Sequence, residues 1–339
     1  MDADAVIETE RLKLCHLRMA DAATIAEQIG DVRVLRNLTS PPYPYQVSDA
    51  EWFIGEFADS PNHLALWTDR FIGVMTLDDD LGYWLGVDHW GHGYATEAAK
   101  AILARHFATS DKVLTSGHVL DNTASRNVLR KMGFRDTHRR NSHIPARGGT
   151  HTMQRMELTA DDWAFACDPK IRTARLLMKP LTLDDAPRIS VLGGDLDVSR
   201  MLASVTHPFP ADNARKWIAS ALYKGRPGFR FGIWRNDTLI GVVMIGGDPV
   251  SAAYWLGKDH WGQGYATEAM AQFLAVMVPK LNLTEVVAEA FVENAASQRV
   301  LSKLGFEKTG EGQGKSAARL EPAPYFAYRL AAENLKASL

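Results

Sequence analysis

The chain has 339 residues, of which 46% are hydrophobic and 23% are charged, and its formal net charge is -2. This composition is ordinary for a globular protein, and the length allows two domains of roughly 150 residues each. The nearly balanced charge excludes a protein-wide basic field that would recruit nucleic acid, and no apolar run approaches the roughly 20 residues of a membrane helix. We therefore expect neither a nucleic-acid partner nor a membrane partner.

The cysteine content and the first residues indicate the compartment. Cys15 and Cys167 are the two cysteines, and we expect them to be free thiols in a reducing environment. Residues 1–4 are acidic, without the basic region and apolar core of a secretory signal. These features predict a cytoplasmic protein.

The elements predicted for the first half alternate between strands and helices. Strands are expected where apolar residues cluster between turn residues, and helices where they recur every three or four positions. In chain order we predict a strand at 11–17, a helix opened by Asp21, a proline-rich loop at 40–46, a helix containing Trp52, strands at 64–67, 71–77 and 83–86, a glycine loop, a helix from about Ala95, a strand at 113–119, a helix at 124–132, and strands at 134–140 and 152–158.

The second half repeats this order. The segment Tyr83–Ala98 reappears as Tyr254–Ala269 with substitutions at only two positions. Weaker matches extend in both directions and include an Asn-x-x-Ser sequence at Asn122 and at Asn294. Two copies are too few for a solenoid, so two tandem globular domains are predicted. We place them at residues 1–160 and 172–339, joined by a polar linker at residues 161–171.

The repeated glycine loop predicts a phosphate site. Gly91 and Gly93, with Gly262 and Gly264 in the second copy, lie between a strand and a helix. Glycines there let the backbone pass close to an anion, and the first amides of the following helix point at it. A dinucleotide fingerprint is excluded, because Thr96 stands where the third glycine would be.

The order strand, glycine loop, helix, strand, Asn-x-x-Ser helix and Gly-Phe strand resembles the GCN5-related N-acetyltransferases (GNAT family). The Gly-Tyr-Ala-Thr-Glu-Ala sequence that completes the loop is similar to the branch that acetylates ribosomal-protein N-termini. The family's Arg/Gln-x-x-Gly-x-Gly/Ala signature has tryptophan, Trp90 and Trp261, in its first position here. The resemblance implies an α+β fold: a tandem duplication in which each domain has a mixed, mostly antiparallel sheet of six to seven strands with helices on both faces.

The resemblance also implies the binding site for acetyl-CoA. The pyrophosphate would lie on the loop amides, and the pantetheine arm would pair with the preceding strand and with the asparagine of the Asn-x-x-Ser sequence. The implied cofactor-binding residues are Trp84, Leu85, Gly86, Gly91, His92, Gly93, Tyr94, Ala95, Thr96 and Asn122 in the first copy, and Trp255, Leu256, Gly257, Gly262, Gln263, Gly264, Tyr265, Ala266, Thr267 and Asn294 in the second.

The resemblance further implies that Ser125 and Ser297 protonate the leaving thiolate. Many members use a tyrosine four residues before the Gly-Phe pair as this acid, but Leu129 and Leu301 stand there. The alternative is that Asn-x-x-Ser merely caps a helix.

The general base stays open between four residues: His118 and Asp121 in the first copy, and Glu289 and Glu293 in the second. Any of them could instead be an ordinary strand residue. The acids at Glu97 and Glu268 are explained by the helix dipole, because both lie in a first helical turn.

The histidines do not predict a metal site. His89 and His92 are three residues apart, but no cysteine or carboxylate completes a ligand set. The segment 138–147 is rich in arginine and histidine, whereas its counterpart at 309–324 is glycine-rich with both charges. We expect these hairpins to line the amine acceptor, unless they are simply exposed loops.

These features predict an N-acetyltransferase that moves acetyl directly from acetyl-CoA to a primary amine, either a protein N-terminus or a small amine. One alternative is an acyl-CoA-binding sensor in which one or both domains do not transfer. Another is an acetyltransferase for aminoglycoside-type antibiotics. The oligomeric state is left open.

Overall fold

The computed structural model describes residues 5–335. The chain divides into two compact units, Met1–Cys167 (the N-terminal unit) and Asp168–Leu339 (the C-terminal unit). The division falls inside the segment predicted as a linker, but that segment is not loop throughout. Ala160–Cys167 is a helix, because the Thr159 hydroxyl accepts from the Asp162 N–H at 3.1 Å at its start and Trp163 is buried.

The N-terminal unit begins with a short strand that was not predicted, and its other strands follow the expected order. Its strands are β1 (Ala5–Glu8), β2 (Lys13–His16), β3 (His63–Trp67), β4 (Phe71–Leu77), β5 (Leu81–Leu85), β6 (Leu114–Val119), β7 (Arg135–Ile144) and β8 (Gly149–Leu158). Its helices are α1 (Ala22–Gly30), α2 (Val32–Leu35), α3 (Val47–Phe57), α4 (Tyr94–Phe107), α5 (Thr123–Lys131) and α6 (Ala160–Cys167).

The C-terminal unit repeats this order. Its strands are β9 (Ile171–Arg172), β10 (Leu177–Pro180), β11 (Phe229–Arg235), β12 (Thr238–Gly246), β13 (Ser251–Leu256), β14 (Glu285–Phe291), β15 (Glu307–Gly314) and β16 (Ala323–Ala331). Its helices are α7 (Ala186–Gly194), α8 (Leu196–Ser199), α9 (Ala211–Ala219), α10 (Tyr265–Lys280) and α11 (Ala295–Lys303).

The strands of both units part at the same place. In the N-terminal unit, β1 to β5 form one antiparallel sheet and β6, β8 and β7 form another, and the two meet only at a parallel bridge between Asp80 and Thr115. In the C-terminal unit one sheet runs β15-β16-β14-β13-β12-β11-β10-β9, and its β13–β14 pair is parallel at the single position Ser251↔Val287. The predicted fold class is confirmed. Each unit has eight strands within residues 5–335 rather than six or seven, because the short edge strands β1 and β9 add to the count.

Helices cover both faces of the N-terminal sheet, because neighbouring strand residues point to opposite sides. On β3, Leu64 packs into the core under α4, whereas Ala65 packs into the core under α1 and α3. On β4, Met75 packs into the core under α4, and Val74 packs into the core under α1 and α3. Among residues 5–335, no helix combines the length and apolarity needed to cross a bilayer.

Close approach of β4 to β5 predicts that Gly73 cannot be replaced. A Cβ there would lie 2.2 Å from the Trp84 carbonyl oxygen, so Gly73→Ala should destabilise the N-terminal unit by about 1–3 kcal/mol through overpacking. Gly55→Ala is the control, because its Cβ would meet nothing within 4 Å in helix α3 and alanine is favoured there by about 0.5–1 kcal/mol. Denaturant titration of the full chain measures both, and an unchanged Gly73→Ala midpoint would contradict the close approach.

Candidate functional site

The glycine loop requires glycine at both of the positions that are repeated between the units. Gly91 and Gly93 have φ of 81° and 85°, and Gly262 and Gly264 have φ of 73° and 80°. L-residues rarely adopt this left-handed region, whereas glycine does so at little cost. A Cβ placed on Gly91 or Gly262 would meet no atom within 4 Å. The loops therefore border open space.

Backbone donors face this space at the start of the following helix. Gly93 is the N-cap of α4, no side chain caps it, and the first intrahelical backbone bond runs from the Glu97 N–H to the Gly93 carbonyl at 3.1 Å. The preceding amides, those of Tyr94, Ala95 and Thr96, have no acceptor within the helix. Helix α10 repeats the arrangement for Tyr265, Ala266 and Thr267, with Gly264 as its N-cap.

An arginine holds the middle of the loop in one orientation. Arg11 Nη1 donates to the His92 carbonyl at 3.0 Å, and Arg175 Nη1 donates to the Gln263 carbonyl at 3.1 Å. In a trans peptide the carbonyl and the next N–H point in opposite directions. Fixing the His92 carbonyl therefore aims the Gly93 N–H away from Arg11.

The arginine is itself held by the first turn of the helix. Glu97 accepts from the Thr9 hydroxyl at 2.6 Å, from the Arg11 N–H at 2.9 Å and from Arg11 Nε at 2.7 Å. We call these three residues the Thr–Arg–Glu clamp. Burial favours a raised pKa for Glu97, but the hydrogen bonds from Thr9 and Arg11 outweigh it and lower the pKa.

The clamp occurs again in the C-terminal unit. Glu268 accepts from the Thr173 hydroxyl at 2.5 Å and from Arg175 Nε at 2.6 Å. The helix dipole alone is thus an incomplete explanation of the repeated glutamates. Sequence reasoning missed the role of the arginines, although the repetition of Thr-x-Arg in both copies was the available signal.

A free strand edge borders the glycine loop. The Gly86 N–H donates to the Ile72 carbonyl at 3.0 Å, so Trp84, two residues earlier, also directs its N–H and carbonyl toward β4. Tyr83 and Leu85 direct theirs to the other side, where β5 and β6 diverge beyond the Asp80–Thr115 bridge. We call this opening, and its equivalent between β13 and β14, the strand gap.

Of the residues 84–86 expected to contact pantetheine, only Leu85 directs its backbone groups into the strand gap. The backbone groups that face the strand gap belong to Tyr83 and Leu85. In the second copy the Gly257 N–H donates to the Ile240 carbonyl at 2.9 Å, which leaves Tyr254 and Leu256 facing the gap rather than Trp255 and Gly257. The alternation could not be predicted without the strand register.

The tryptophan at the start of the family signature ties the loop to this strand. Trp90 Nε1 donates to the Leu85 carbonyl at 2.9 Å, and Trp261 Nε1 donates to the Leu256 carbonyl at 2.8 Å. Trp90 thus serves as a brace between the loop and β5 and uses one acceptor of the free edge.

The asparagine and the serine of Asn-x-x-Ser have separate roles. Asn122 is the N-cap of α5, and its Oδ1 accepts from the Ser125 N–H at 3.0 Å. Asn294 does the same for Ser297 at 3.0 Å. The Asn-x-x-Ser sequence is therefore a helix cap, in which the asparagine side chain is the acceptor and the serine contributes its backbone N–H.

Each serine hydroxyl instead contacts a tyrosine from the strand at the gap. Tyr83 Oη lies 2.9 Å from Ser125 Oγ, and Tyr254 Oη donates to Ser297 Oγ at 3.0 Å. Burial raises the pKa of both tyrosines to about 12, although the serine hydrogen bond acts in the opposite direction. Both phenols therefore stay protonated through neutral and mildly alkaline pH. Sequence reasoning did not single out these tyrosines, although they repeat within the best-matched segment.

Two of the four candidate bases are occupied by arginines. Arg147 donates to Asp121 through Nη1 at 3.0 Å and Nη2 at 2.9 Å, and these hydrogen bonds lower the pKa of Asp121. Arg319 also contacts Glu293 in the C-terminal unit, through one pair of atoms, Nη2 and Oε1. Because an arginine already engages each carboxylate, the geometry does not favour Asp121 or Glu293 as the base.

The same arginines also reach the helical side of the site. Arg147 Nε donates to the Arg36 carbonyl at 2.5 Å, and Arg319 Nε donates to the Arg200 carbonyl at 2.7 Å. Arg147 thus makes internal hydrogen bonds that recur at Arg319, and it does not belong to an exposed basic surface. The hairpins share this device despite their different compositions.

The other two candidate bases differ in burial. His118 is 4% exposed and lies on the face of β6 that packs against α5. Its Nδ1 lies 2.8 Å from the Val119 carbonyl, and burial lowers its pKa. Glu289 is exposed on the opposite face of its strand. Only Glu289 is therefore accessible to an acceptor.

Within residues 5–335, no group of three or more histidine, cysteine or acidic side chains is arranged to hold a metal ion. His92 lies instead beside Tyr94, with ring centroids 5.6 Å apart. Its counterpart Gln263 donates to the Asp259 carbonyl at 3.1 Å. The two loops therefore differ in side-chain contacts but not in backbone conformation.

Comparison with known proteins identifies the repeated unit. The model of the acetyltransferase (GNAT) domain matches residues 11–135 and 175–307, one segment in each unit. An uncharacterised N-acetyltransferase of Bacillus subtilis, YoaA, is 29% identical over 151 residues, which cover 42% of this chain and 85% of that protein.

Two further proteins are similar over a comparable share of the chain. The FsC-acetyl coenzyme A-N(2)-transacetylase of Aspergillus fumigatus is 26% identical over 155 residues, 40% of this chain and 64% of that protein. The structure of Mycobacterium smegmatis RimJ in complex with CoA-disulfide has a TM-score of 0.42 and 20% identity, and it covers 48% of this chain and 85% of that one.

Assignment of the helix cap to asparagine predicts a difference between two neighbouring variants. Asn122→Ala should lower the free energy of unfolding of the N-terminal unit by about 1 kcal/mol, because the Ser125 N–H loses its acceptor. Ser125→Ala keeps the cap and should change stability little. Thermal and denaturant unfolding compare the two, and equal losses would contradict the assignment.

Proposed function

The chain belongs to the GNAT acetyltransferases, whose acetyl donor is acetyl-CoA, and we propose that each of its two units binds acetyl-CoA and transfers the acetyl group directly to a primary amine. The observation that carries this proposal is the occurrence of one complete arrangement in both units. The glycine loop, the Thr–Arg–Glu clamp, the strand gap and the Asn–Ser–Tyr set all recur with matching contacts.

The residues present fit the shape and charge of this donor. Amides at the start of α4 and α10 would hold the pyrophosphate, because they are unpaired within the helix and lie at its positive end. The strand gap offers backbone donors and acceptors in line with the loop, where an amide-bearing arm would complete the sheet edge. The side-chain amides of Asn122 and Asn294, whose oxygens cap their helices, keep their Nδ2 donors for the same arm.

The transfer exchanges one bond for another. The amine nitrogen forms a C–N bond with the acetyl carbon as the C–S bond breaks, and one proton leaves the nitrogen while one reaches the sulfur. Acetyl-CoA supplies the activated thioester. Ser125 or Ser297 would donate the hydrogen bond or proton to sulfur.

The tyrosines would orient these serines. A phenol that remains protonated can donate to the serine oxygen, which leaves the single serine hydrogen free to point into the strand gap. Tyr83 and Tyr254 are therefore assigned as positioning residues behind the serines. The acceptor is a protein N-terminus or a small amine, and it must be neutral at nitrogen when it attacks.

The proposed function predicts that each chain binds two molecules of acetyl-CoA. Gly93→Val should remove one of the two sites, since valine is strained at a φ of 85° and its side chain would displace the amides. Calorimetric titration with acetyl-CoA or CoA counts the sites. The finding of one site in the unaltered chain would favour a non-catalytic or structural role for one unit.

A matched control separates local strain from loss of the cofactor site. Gly148 also has a positive φ, 70°, and lies in the β7–β8 hairpin with open space around its Cβ. Gly148→Val should therefore carry a similar backbone strain but retain two sites. If both variants lost a site, the loss at Gly93 would reflect unfolding.

The second prediction concerns the hydroxyl pair. Ser125→Ala with Ser297→Ala should lower kcat by about 10²–10⁴-fold if the serines act as acids, while the Kd for CoA stays within about twofold. Tyr83→Phe with Tyr254→Phe should lower kcat less, and the loss should appear in kcat rather than in KM for acetyl-CoA. Steady-state release of CoA measures both.

A structural role for the tyrosines would give a different pattern. The phenylalanine variants would then lose melting temperature and acetyl-CoA affinity together. An unchanged kcat in the alanine variants would remove the serines from the chemistry. Binding of two acetyl-CoA molecules without turnover of any amine would favour the sensor alternative.

A further inference from the structure

The strands beside the proposed acceptor can be compared between units row by row. Val119 and Phe291 are equivalent, because each carbonyl accepts the backbone N–H of the helix-capping asparagine three residues later, at 2.9 Å and 2.8 Å. From these positions the strand pairings assign the remaining equivalences without sequence alignment.

The row nearest the asparagine changes from basic to aromatic. In the N-terminal unit it reads Val119, Met153 and Arg140 across β6, β8 and β7. In the C-terminal unit the same row reads Phe291, Tyr325 and Gly312 across β14, β16 and β15.

The glycine in this row makes room for the tyrosine. A Cβ on Gly312 would lie 2.8 Å from Tyr325, and one on Gly314 would lie 3.0 Å from it. The Tyr325 ring therefore lies across β15, where a side chain at position 312 would force the ring to move. The glycine-rich composition of β15 is explained by this contact.

The next row carries a positive charge in the N-terminal unit and a negative charge in the C-terminal unit. In the N-terminal unit it holds Gly117 and Arg155, and Arg155 extends to Asp80 at 2.7 Å, where it forms a salt bridge. In the C-terminal unit the row holds Glu289 and Ala327. Glu289 is exposed and forms no ion pair with any residue of 5–335.

Both rows of the C-terminal unit lie on one face of the sheet, and their strand β14 borders the strand gap. Residues two apart on a strand share a face, so Glu289 and Phe291 point to the same side. Arg319 lies over Phe291 with its Cζ 4.8 Å from the ring centroid, and its Nε reaches the carbonyl of Arg200 after α8. The face is therefore the one directed toward α8, and Glu289 comes two residues after Val287, the position at which β14 pairs with β13 before the strand gap opens.

From these rows we infer that the C-terminal unit acetylates an amine that carries a second positive charge, which the Glu289 carboxylate and the Tyr325 ring bind. The inference rests on the function proposed above and names its acceptor class. An unpaired carboxylate attracts a cation by charge, and an aromatic ring in the neighbouring row attracts it through the ring quadrupole. The N-terminal unit offers neither group at these positions.

The N-terminal unit should disfavour the same acceptor. Arg140 replaces the glycine of the first row, on an exposed stretch of β7. This like charge would repel a dication, and it would favour an amine followed by acidic groups, such as an acidic N-terminal peptide. The two units would thus share a donor and divide the acceptors.

The test compares 1,4-diaminobutane with butylamine, which differs by the second charge. Gly93→Val leaves only the C-terminal loop intact and Gly264→Val leaves only the N-terminal loop. The ratio of kcat/KM for diamine over monoamine should be higher in Gly93→Val. Adding Glu289→Gln should lower that ratio by roughly three- to fivefold, the size expected for a partly exposed ion pair, and high salt should lower it as well.

Glu285→Gln is the matched control. Glu285 lies on the same strand and the same face, two rows away, but it is paired with Arg329 at 2.6 Å. Its replacement should leave the ratio unchanged. Glu289→Gln is also made in the unaltered chain, so the result does not depend on the folding of the glycine variants.

The outcomes distinguish this inference from the proposed function. Equal ratios in the two single-loop variants, or an unchanged ratio in Glu289→Gln, would overturn the inference while acetylation of either amine upheld the function. An equal loss with both amines would show Glu289 acting as a base rather than as a cation site, which also overturns it. Failure of every amine, an acidic peptide included, would remove the function and the inference together.

Discussion

The strand gap is the constraint on which the rest of each unit depends. Two parallel strands that pair at one position and then diverge leave a row of backbone groups without a strand partner. Buried backbone groups need hydrogen-bond partners, and here only part of the row is satisfied from within, by Trp90 or Trp261 at one carbonyl. The remainder is available to a ligand that itself has amide groups. Under the function proposed above, such a site would select an extended, amide-bearing molecule through its backbone alone.

The Thr–Arg–Glu clamp offsets the negative charge of a glutamate at the end of this gap. A helix N-terminus attracts a phosphate, yet Glu97 places a carboxylate in the same first turn. Arg11 neutralises that carboxylate and uses its remaining donor to fix a loop peptide, so one side chain removes the repulsion and orients an amide. The Thr9 hydroxyl completes the set of hydrogen bonds to Glu97. Because all three residues recur in the second unit with bonds of similar length, the clamp belongs to the duplicated design rather than to one copy.

Much of the fold could be predicted from the sequence, because its signals are local. Apolar periodicity predicted the helices. The glycines predicted the loops at Gly93 and Gly264, where the structure has positive φ. Contacts such as Arg11 with Glu97, Tyr83 with Ser125 and Arg147 with Asp121 join residues far apart in the chain, and no local pattern reveals them. Which residues of the strand edge face the gap could not be predicted for a related reason, since the direction of a backbone carbonyl depends on register with the neighbouring strand. The polar segment around Asp162 was interpreted as linker because the burial of Asp162 and Trp163, which stabilises this helix, depends on tertiary packing.

Duplication explains why one side of each unit is preserved and the other is not. The donor side is built from backbone geometry, and a substitution in the loop, the clamp or the strand edge disturbs several hydrogen bonds together. The acceptor face is built from side chains that project from regular strands, where a residue can change without altering the ladder. Gly312 and Tyr325 illustrate the limit of that freedom, because the tyrosine ring occupies the volume in which a side chain at position 312 would lie. Divergence on this face therefore proceeds by coupled pairs: Gly117 with Arg155 in one unit, Glu289 with Ala327 in the other. Each pair places one charged and one small residue in the same row, and the two units place the charge on different strands. Under the inference above, this difference would change the acceptor that each unit recognises while the donor stays the same.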